Sequence, residues 1–238
     1  MEFLVLKMGS TIPSLKSRRG DFEDWVIRGA DLGPAEVRVI DVQAGEPLPR
    51  PHGGCAAILT GSHSMVTECA PWSEQAAEWL RKAVRGGVPV LGICYGHQLL
   101  AYAHGGRVAD NPLGREYGTV QVRMDGAAAR DELLGGLPAS IPAHEGHTQS
   151  VLSLPPGAVR LAANAWDPHQ AFRLGDRAWG VQFHPEFDAD IMREYIGHYS
   201  ETLSSEGQDP LALSATARDD PSGPAILRRF VELCRSRD

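Results

Sequence analysis

Short apolar runs separated by amphipathic segments set the rhythm of the first half of the chain. Phe3-Leu-Val-Leu-Lys-Met and Ala56-Ala-Ile-Leu-Thr are nearly continuous in apolar residues, which predicts strands buried on both faces. Glu36-Val-Arg-Val-Ile-Asp-Val alternates apolar and polar positions and is rich in β-branched residues, which predicts a strand near a sheet edge. Asp21-Phe-Glu-Asp-Trp-Val-Ile-Arg follows Gly20 and opens on an acid able to cap, so a short helix is predicted there. Ala76, Trp79, Leu80, Ala83 and Val84 recur at three- and four-residue spacing and predict a helix over residues 72–85. A further apolar run, Val88-Pro-Val-Leu-Gly-Ile, then passes straight into a helical pattern, Cys94-Tyr-Gly-His-Gln-Leu-Leu-Ala. Strands separated by helices at this rhythm predict a mostly parallel α/β sheet whose chemistry sits in loops at the strands' carboxyl ends.

After Gly105-Gly106 the texture changes. Tyr117-Gly-Thr-Val-Gln-Val-Arg-Met, Gln149-Ser-Val-Leu-Ser-Leu, Val159-Arg-Leu-Ala-Ala, His169-Gln-Ala-Phe-Arg-Leu and Trp179-Gly-Val-Gln-Phe read as short strands joined by Pro/Gly turns, a meander completing the sheet. A helix is predicted over 191–199, a Ser/Asp/Gly/Pro-rich surface connection over 204–224, and a last helix over 225–235 with Ile226, Leu227, Phe230 and Val231 on one face. With no internal repeat, residues 1–238 are expected to form one domain, with a C-terminal helical extension from about 205.

Composition narrows the function classes. The 238 residues are 42% hydrophobic and 22% charged, ordinary for a globular chain. A net charge of −7 disfavours a nucleic-acid or anionic-membrane partner, either of which needs a basic surface. No run reaches the length of a membrane span, and the N-terminal residues read as a first strand rather than a signal peptide, so a cytoplasmic location is expected. Cys55, Cys69, Cys94 and Cys234 form no CxxC pair and are expected as reduced thiols. Taken singly, each reads as a small buried hydrophobe.

Spacing sets Cys94 apart. Gly92-Ile-Cys-Tyr-Gly96 at a strand-to-helix junction is the pattern of a nucleophile elbow, a turn so tight that the flanking positions lack side chains. Such a turn places the thiol at a helix N-terminus, where the dipole and free N–H groups favour the thiolate. A base and an orienting carboxylate are expected from Trp179-Gly-Val-Gln-Phe-His184-Pro185-Glu186. Its strand delivers His184 to the same end of the sheet, and Glu186 returns to the same face two residues later. Cys94, His184 and Glu186 then form a triad of nucleophile, base and carboxylate.

Pro89-Val-Leu-Gly-Ile-Cys-Tyr-Gly-His-Gln together with Gly180-Val-Gln-Phe-His-Pro-Glu resembles the class I, triad glutamine amidotransferases over residues 3–199, above all the glutaminase domain of GMP synthetase and stand-alone proteins related to it. The resemblance implies a flavodoxin-like three-layer fold: a central mostly parallel sheet, helices on both faces and a small antiparallel extension. It implies attack on the γ-amide of glutamine, release of ammonia and hydrolysis of a γ-glutamyl thioester. By motif match Cys94 is the nucleophile, His184 the base and acid, and Glu186 the orienting carboxylate. The oxyanion donors are expected to be the backbone N–H of Tyr95 and one from the facing turn, Thr60-Gly61-Ser62-His63. Ser62 stands where the family often has glycine, so Gly61 and Ser62 both remain candidates. Gln98 lies one helical turn past Cys94 and is implied to touch substrate, as are Arg115, Tyr117, Gly118 and His147.

No cofactor and no metal are expected. His144-Glu-Gly-His147 separates its histidines by two residues, not the three that a zincin helix needs, and Pro142 disfavours a helix. No synthetase domain and no phosphate-binding loop are recognisable, so ammonia is expected to pass to a separate synthetase or acceptor subunit. The competing enzymatic reading is a free-standing hydrolase of γ-glutamyl peptides or amides. The competing non-enzymatic reading is an inactive regulatory or binding module, which the intact triad argues against.

Overall fold

The computed structural model describes residues 1–236. In chain order its first half runs β1 (Glu2–Lys7), α1 (Pro13–Arg19), α2 (Phe22–Gly29), β2 (Val37–Asp41), β3 (Cys55–Leu59), α3 (Pro71–Arg85), β4 (Val90–Ile93) and α4 (Tyr95–Ala103). The second half runs β5 (Arg107–Asp110), β6 (Glu116–Met124), β7 (Ser140–His147), β8 (Gln149–Ser153), β9 (Ala158–Ala163), β10 (Ala171–Leu174) and β11 (Ala178–Val181), then α5 (Ala189–His198), α6 (Ser200–Ser205), α7 (Pro210–Thr216) and α8 (Ser222–Arg235). One sheet of nine strands is ordered β2-β1-β3-β4-β11-β10-β9-β6-β7; β5 and β8 pair separately. The pairings from β2 to β11 are parallel, and those beyond β11 are antiparallel. Together with its flanking helices this is the α/β fold that the strand–helix rhythm predicts.

Strand periodicity divides the core into two layers. On β1, Phe3 and Val5 join a cluster on one face with Val26 and Ala30 of the α2 end and Ile226, Leu227, Phe230 and Val231 of α8. Leu4 and Leu6 point the other way, into a cluster with Ala76, Ala77, Trp79, Leu80 and Ala83 of α3. The central strands β3 and β4 are buried along their whole length, whereas β2, at the edge, exposes Arg38 and Val39. The last helix is therefore part of one face of the core.

Several elements lie outside the pattern-based expectation. Helix α1 has Pro13 in its first turn, but Ile12 at its N-cap offers no side-chain acceptor, so no polar start signal marks it. Strand β7 contains Pro142, which it tolerates as the outermost strand of the sheet. Strand β8 leaves the expected meander and pairs with β5, a strand that the pattern does not mark. The 204–224 connection holds α7, capped by the Asp209 carboxylate on the N–H groups of Leu211 and Ala212 and started by Pro210. Among the described residues no helix is long and apolar enough to cross a membrane.

Candidate active site

Cys94 is the single residue between β4 and α4, with φ 50° and ψ −99°. A non-glycine residue in this region is strained, at a cost of order 1–3 kcal/mol. The surroundings that impose it are backbone. A Cβ on Gly92 would lie 2.4 Å from the Gly96 carbonyl oxygen, and one on Gly96 would lie 2.7 Å from Leu59 Cβ and 2.8 Å from Leu59 O. Both glycines are thus required for β3, β4 and the first turn of α4 to close on one another. The Cys94 N–H donates to Val181 O at 2.9 Å and its carbonyl accepts from Gln98 N–H at 3.1 Å, which ties the elbow to β11 and to α4.

His184 lies just past the end of β11. The residue spacing predicts an extended chain through Glu186, but the backbone turns instead. Pro185 and Glu186 occupy the corner of a turn closed by Phe187 N–H on His184 O at 3.4 Å, a position for which proline is suited. The turn brings the Glu186 carboxylate back to the imidazole, Oε1 accepting from Nδ1 at 2.8 Å. The ring is clamped: Phe187 stacks on it with centroids 4.0 Å apart, Phe22 stacks at 6.1 Å, and a Cβ on Gly61 would lie 3.0 Å from its Cε1. Gly223 of α8 packs so closely beneath the turn that a Cβ there would stand 2.6 Å from Pro185 O.

Burial works against a charged His184, but the Glu186 carboxylate and the Cys94 sulfur outweigh it, and the pKa is raised to about 10. A folded-state pKa above the unfolded value near 6.5 stabilises the protein fully below about pH 6.5, and that stabilisation is lost as pH rises toward 10. Denaturant titrations across this window should show unfolding free energy falling with pH, and Glu186→Gln should flatten the fall. An unchanged slope in the variant would remove Glu186 as a cause.

The two halves of the site are stitched together by the very residues that carry the sequence patterns. Gly180 pairs with Gly92 and Val181 with Ile93 in register. Gln98 donates through Nε2 to Gln182 Oε1 at 3.0 Å and to Gln149 O at 2.7 Å. His97, fully buried against Phe172, leaves no room for a Cβ on Gly180, which would meet its Nδ1 at 2.7 Å.

A cavity of about 70 Å³ opens above Cys94, lined by Ser62, His63, Cys94, Tyr95, Gln98, Arg115, Tyr117 and His147 among others. Of the expected residues, Gly61, Gly118, His184 and Glu186 do not line it. Gly61 lies against His184, and Gly118, at φ 108°, packs under Leu213 of α7. The Ser62 hydroxyl accepts from Ser64 N–H at 3.1 Å, and the backbone of Gly9 packs closely against this residue. Arg115 reaches over the rings of Tyr117 and Tyr199 and is anchored by Glu206 at 3.2 Å. His63, Gln149 and Tyr199 also line the cavity, positions that no pattern in the sequence singles out for the site, and Gln182 lies behind it. Gln182 does carry a signal: it sits two residues before His184 in the same short pattern.

The family model for glutamine amidotransferase class-I matches residues 53–196, a span that contains Cys94, His184 and Glu186. The chain belongs to the class-I glutamine amidotransferase family. Similar curated proteins include the glutamine-hydrolyzing GMP synthases of Aeropyrum pernix, 39% identical over 142 residues (60% of this chain, 25% of that one), and Clostridium novyi, 41% over 171 residues (71% and 30%). The chain spans between a quarter and a third of the length of those relatives. Its fold is shared with a glutamine amidotransferase from Thermotoga maritima, TM-score 0.77 at 22% identity, covering 98% of this chain and 97% of that one. It is shared too with a glutamine amidotransferase from Methylobacillus flagellatus, TM-score 0.74 at 24% identity, covering 97% and 94%.

Proposed function

We propose that this chain hydrolyses the γ-amide of glutamine through a Cys94–His184–Glu186 triad and delivers the ammonia to a separate synthetase or acceptor subunit. One observation carries the reading. A strained cysteine at the N-terminus of α4 lies within the influence of an imidazole that Glu186 holds at 2.8 Å.

The steps follow from this geometry. His184, protonated at neutral pH, faces Cys94 and stabilises the thiolate, which attacks the γ-carbonyl carbon of glutamine. The carbonyl π electrons move onto oxygen, and the oxyanion is met by the Tyr95 N–H with a second donor from the facing turn. Ser62 is the better candidate for that donor, since it lines the cavity and Gly61 lies behind it. His184 then gives its proton to the amide nitrogen, ammonia leaves and a γ-glutamyl thioester remains. Water attacks the thioester as His184 takes its proton, and glutamate departs. Glu186 keeps the imidazole in the orientation both transfers require.

Gln98, with its amide N–H groups turned away to Gln149 and Gln182, presents its carbonyl side to the cavity. Arg115 is the cation available for a substrate carboxylate. The small cavity suits a glutamine side chain better than a bulky acyl group. The curated relatives are glutamine-hydrolyzing GMP synthases, which supports an acceptor that takes up ammonia. Ammonia release should be measured with glutamine and with γ-glutamyl peptides, alone and with candidate synthetases. Glutamine turnover that rises with a synthetase is the expected result. Efficient peptide hydrolysis with negligible glutaminase activity under every condition would sink the ammonia-donor reading in favour of a γ-glutamyl hydrolase.

A further inference from the structure

Beneath the cavity lies a second group of ionisable side chains that the proposed triad does not use. The strand geometry of β7 assembles it. Glu145 and His147 are two residues apart and share a face, while His144 points the opposite way, to Thr119 Oγ1 at 3.0 Å and toward the His184 side. Across the β6–β7 pairing, Glu116 stands opposite His147. The His–Glu–Gly–His spacing therefore fails as a helical metal motif, yet on a strand it places one carboxylate and one imidazole together and adds a second carboxylate from the neighbouring strand.

We propose that Glu116, Glu145 and His147 form a binding site for one divalent first-row cation of the Mn²⁺ to Zn²⁺ series. His147 donates its Nδ1–H to Gln149 O at 2.9 Å, the outer contact that orients a metal-ligating imidazole, and turns its Nε2 to Glu116 Oε2. That Nε2 is 3.0 Å from Glu116 Oε2 and 3.5 Å from Glu145 Oε2. Two donors about 2.1 Å from a tetrahedral zinc lie about 3.4 Å apart, so a cation fits between these atoms with small adjustments. One candidate donor from each of Glu116, Glu145 and His147 falls within 4.8 Å of the others. Glu116 is held from outside, accepting from Asn164 Nδ2 at 2.6 Å and Gln170 Nε2 at 3.0 Å, the kind of support that metal-bound carboxylates receive.

A second observation points to a ligand. Glu145 is 0% exposed, and neither of its carboxylate oxygens has a donor at full hydrogen-bond geometry, the Gln170 amide being close enough only to favour the anion weakly against burial. Gln170 is equally buried; its Nε2 is committed to Glu116 and its Oε1 is unpartnered. Asp167, also 0% exposed, adds a further negative charge nearby with Oδ2 unpartnered. Buried acceptors left without donors favour a positive charge beside them. The donor set, imidazole with oxygens, suits Mn²⁺ to Zn²⁺; the oxygens are too few for Ca²⁺. His147 and Gly146 line the Cys94 cavity, which gives an ion its way in.

The test uses the full chain carrying Cys94→Ser, so that no cavity thiolate competes for metal. After chelator treatment, equilibration with Zn²⁺ or Mn²⁺ and desalting, elemental analysis should find about one equivalent per chain. Adding Glu145→Gln, which keeps the shape and removes the charge, should weaken binding at least about hundredfold and abolish the rise in melting temperature that the metal produces. X-ray absorption at the zinc edge of the Cys94→Ser chain should report imidazole nitrogen and carboxylate oxygen without sulfur. The proposal is overturned if that chain takes up no metal at saturation, if it and the Glu145→Gln variant bind equally, or if the zinc has sulfur ligands. Any of these results would leave shared protons as the neutralising charge among these carboxylates.

Discussion

Cys94→Ser is expected to abolish glutamine hydrolysis, lowering kcat by about 10⁴-fold or more, while the protein stays folded. A hydroxyl is far less acidic than a thiol, so His184 cannot hold it as the anion that attacks the γ-carbonyl. The backbone does not relax in compensation, because the strained φ of 50° is imposed by Gly92, Gly96 and the β4–α4 junction rather than by sulfur. The stability cost should be small, about 1 kcal/mol, for exchanging one small buried side chain for another. Combining Cys94→Ser with Glu186→Gln should be hardly worse than Cys94→Ser alone, since members of one catalytic unit do not contribute additively. Cys55→Ser is the control: Cys55 is fully buried and its thiol donates to His52 O at 3.1 Å, so its loss should touch stability and spare turnover. Labelling with a glutamine-mimicking electrophile reads the same site directly. A folded protein whose Cys94 stays unmodified, or equal activity losses in the two serine variants, would remove Cys94 as the nucleophile.

The largest effect on folding is expected from Gly92→Ala. Its methyl group would stand 2.4 Å from Gly96 O, 2.5 Å from Gly96 C and 2.8 Å from His97 N, all backbone atoms of the first turn of α4. A flexible side chain could swing away; a helix anchored to β3 through Leu59 and to β11 through Gln98 and Gln182 has nowhere to go. Overpacking of this kind costs about 3 kcal/mol, and the displacement it forces falls on Cys94. Denaturant midpoints should drop sharply for Gly92→Ala and stay within error for Gly53→Ala, where nothing lies within 4 Å of the added carbon. A Gly92→Ala protein with the parent midpoint and turnover would show that the elbow is not tightly packed.

Much of the parallel half of the sheet was legible because its strands are buried on both faces and read as apolar runs, and because α3 keeps a helical period. The elbow was legible for a related reason: only glycine meets the steric demand at positions 92 and 96, so the residue type itself marks the geometry. Strand β7 was not, since Pro142 argues against regular structure until one knows that the strand lies at the sheet edge. Nor was the turn at Pro185, where a two-residue spacing fits an extended chain and a reverse turn equally well.

By itself the sequence determined the α/β rhythm, the elbow at Cys94 and the pairing of His184 with Glu186, because these depend on local period, on glycine sterics and on residues close in the chain. Only the tertiary structure decided which glycines serve the ring of His184 rather than the cavity, that α8 supports the Pro185 turn from below, and that Glu116 meets Glu145 and His147. Those contacts join residues tens of positions apart. They are settled by strand register and layer packing, which a single pattern along the chain does not encode.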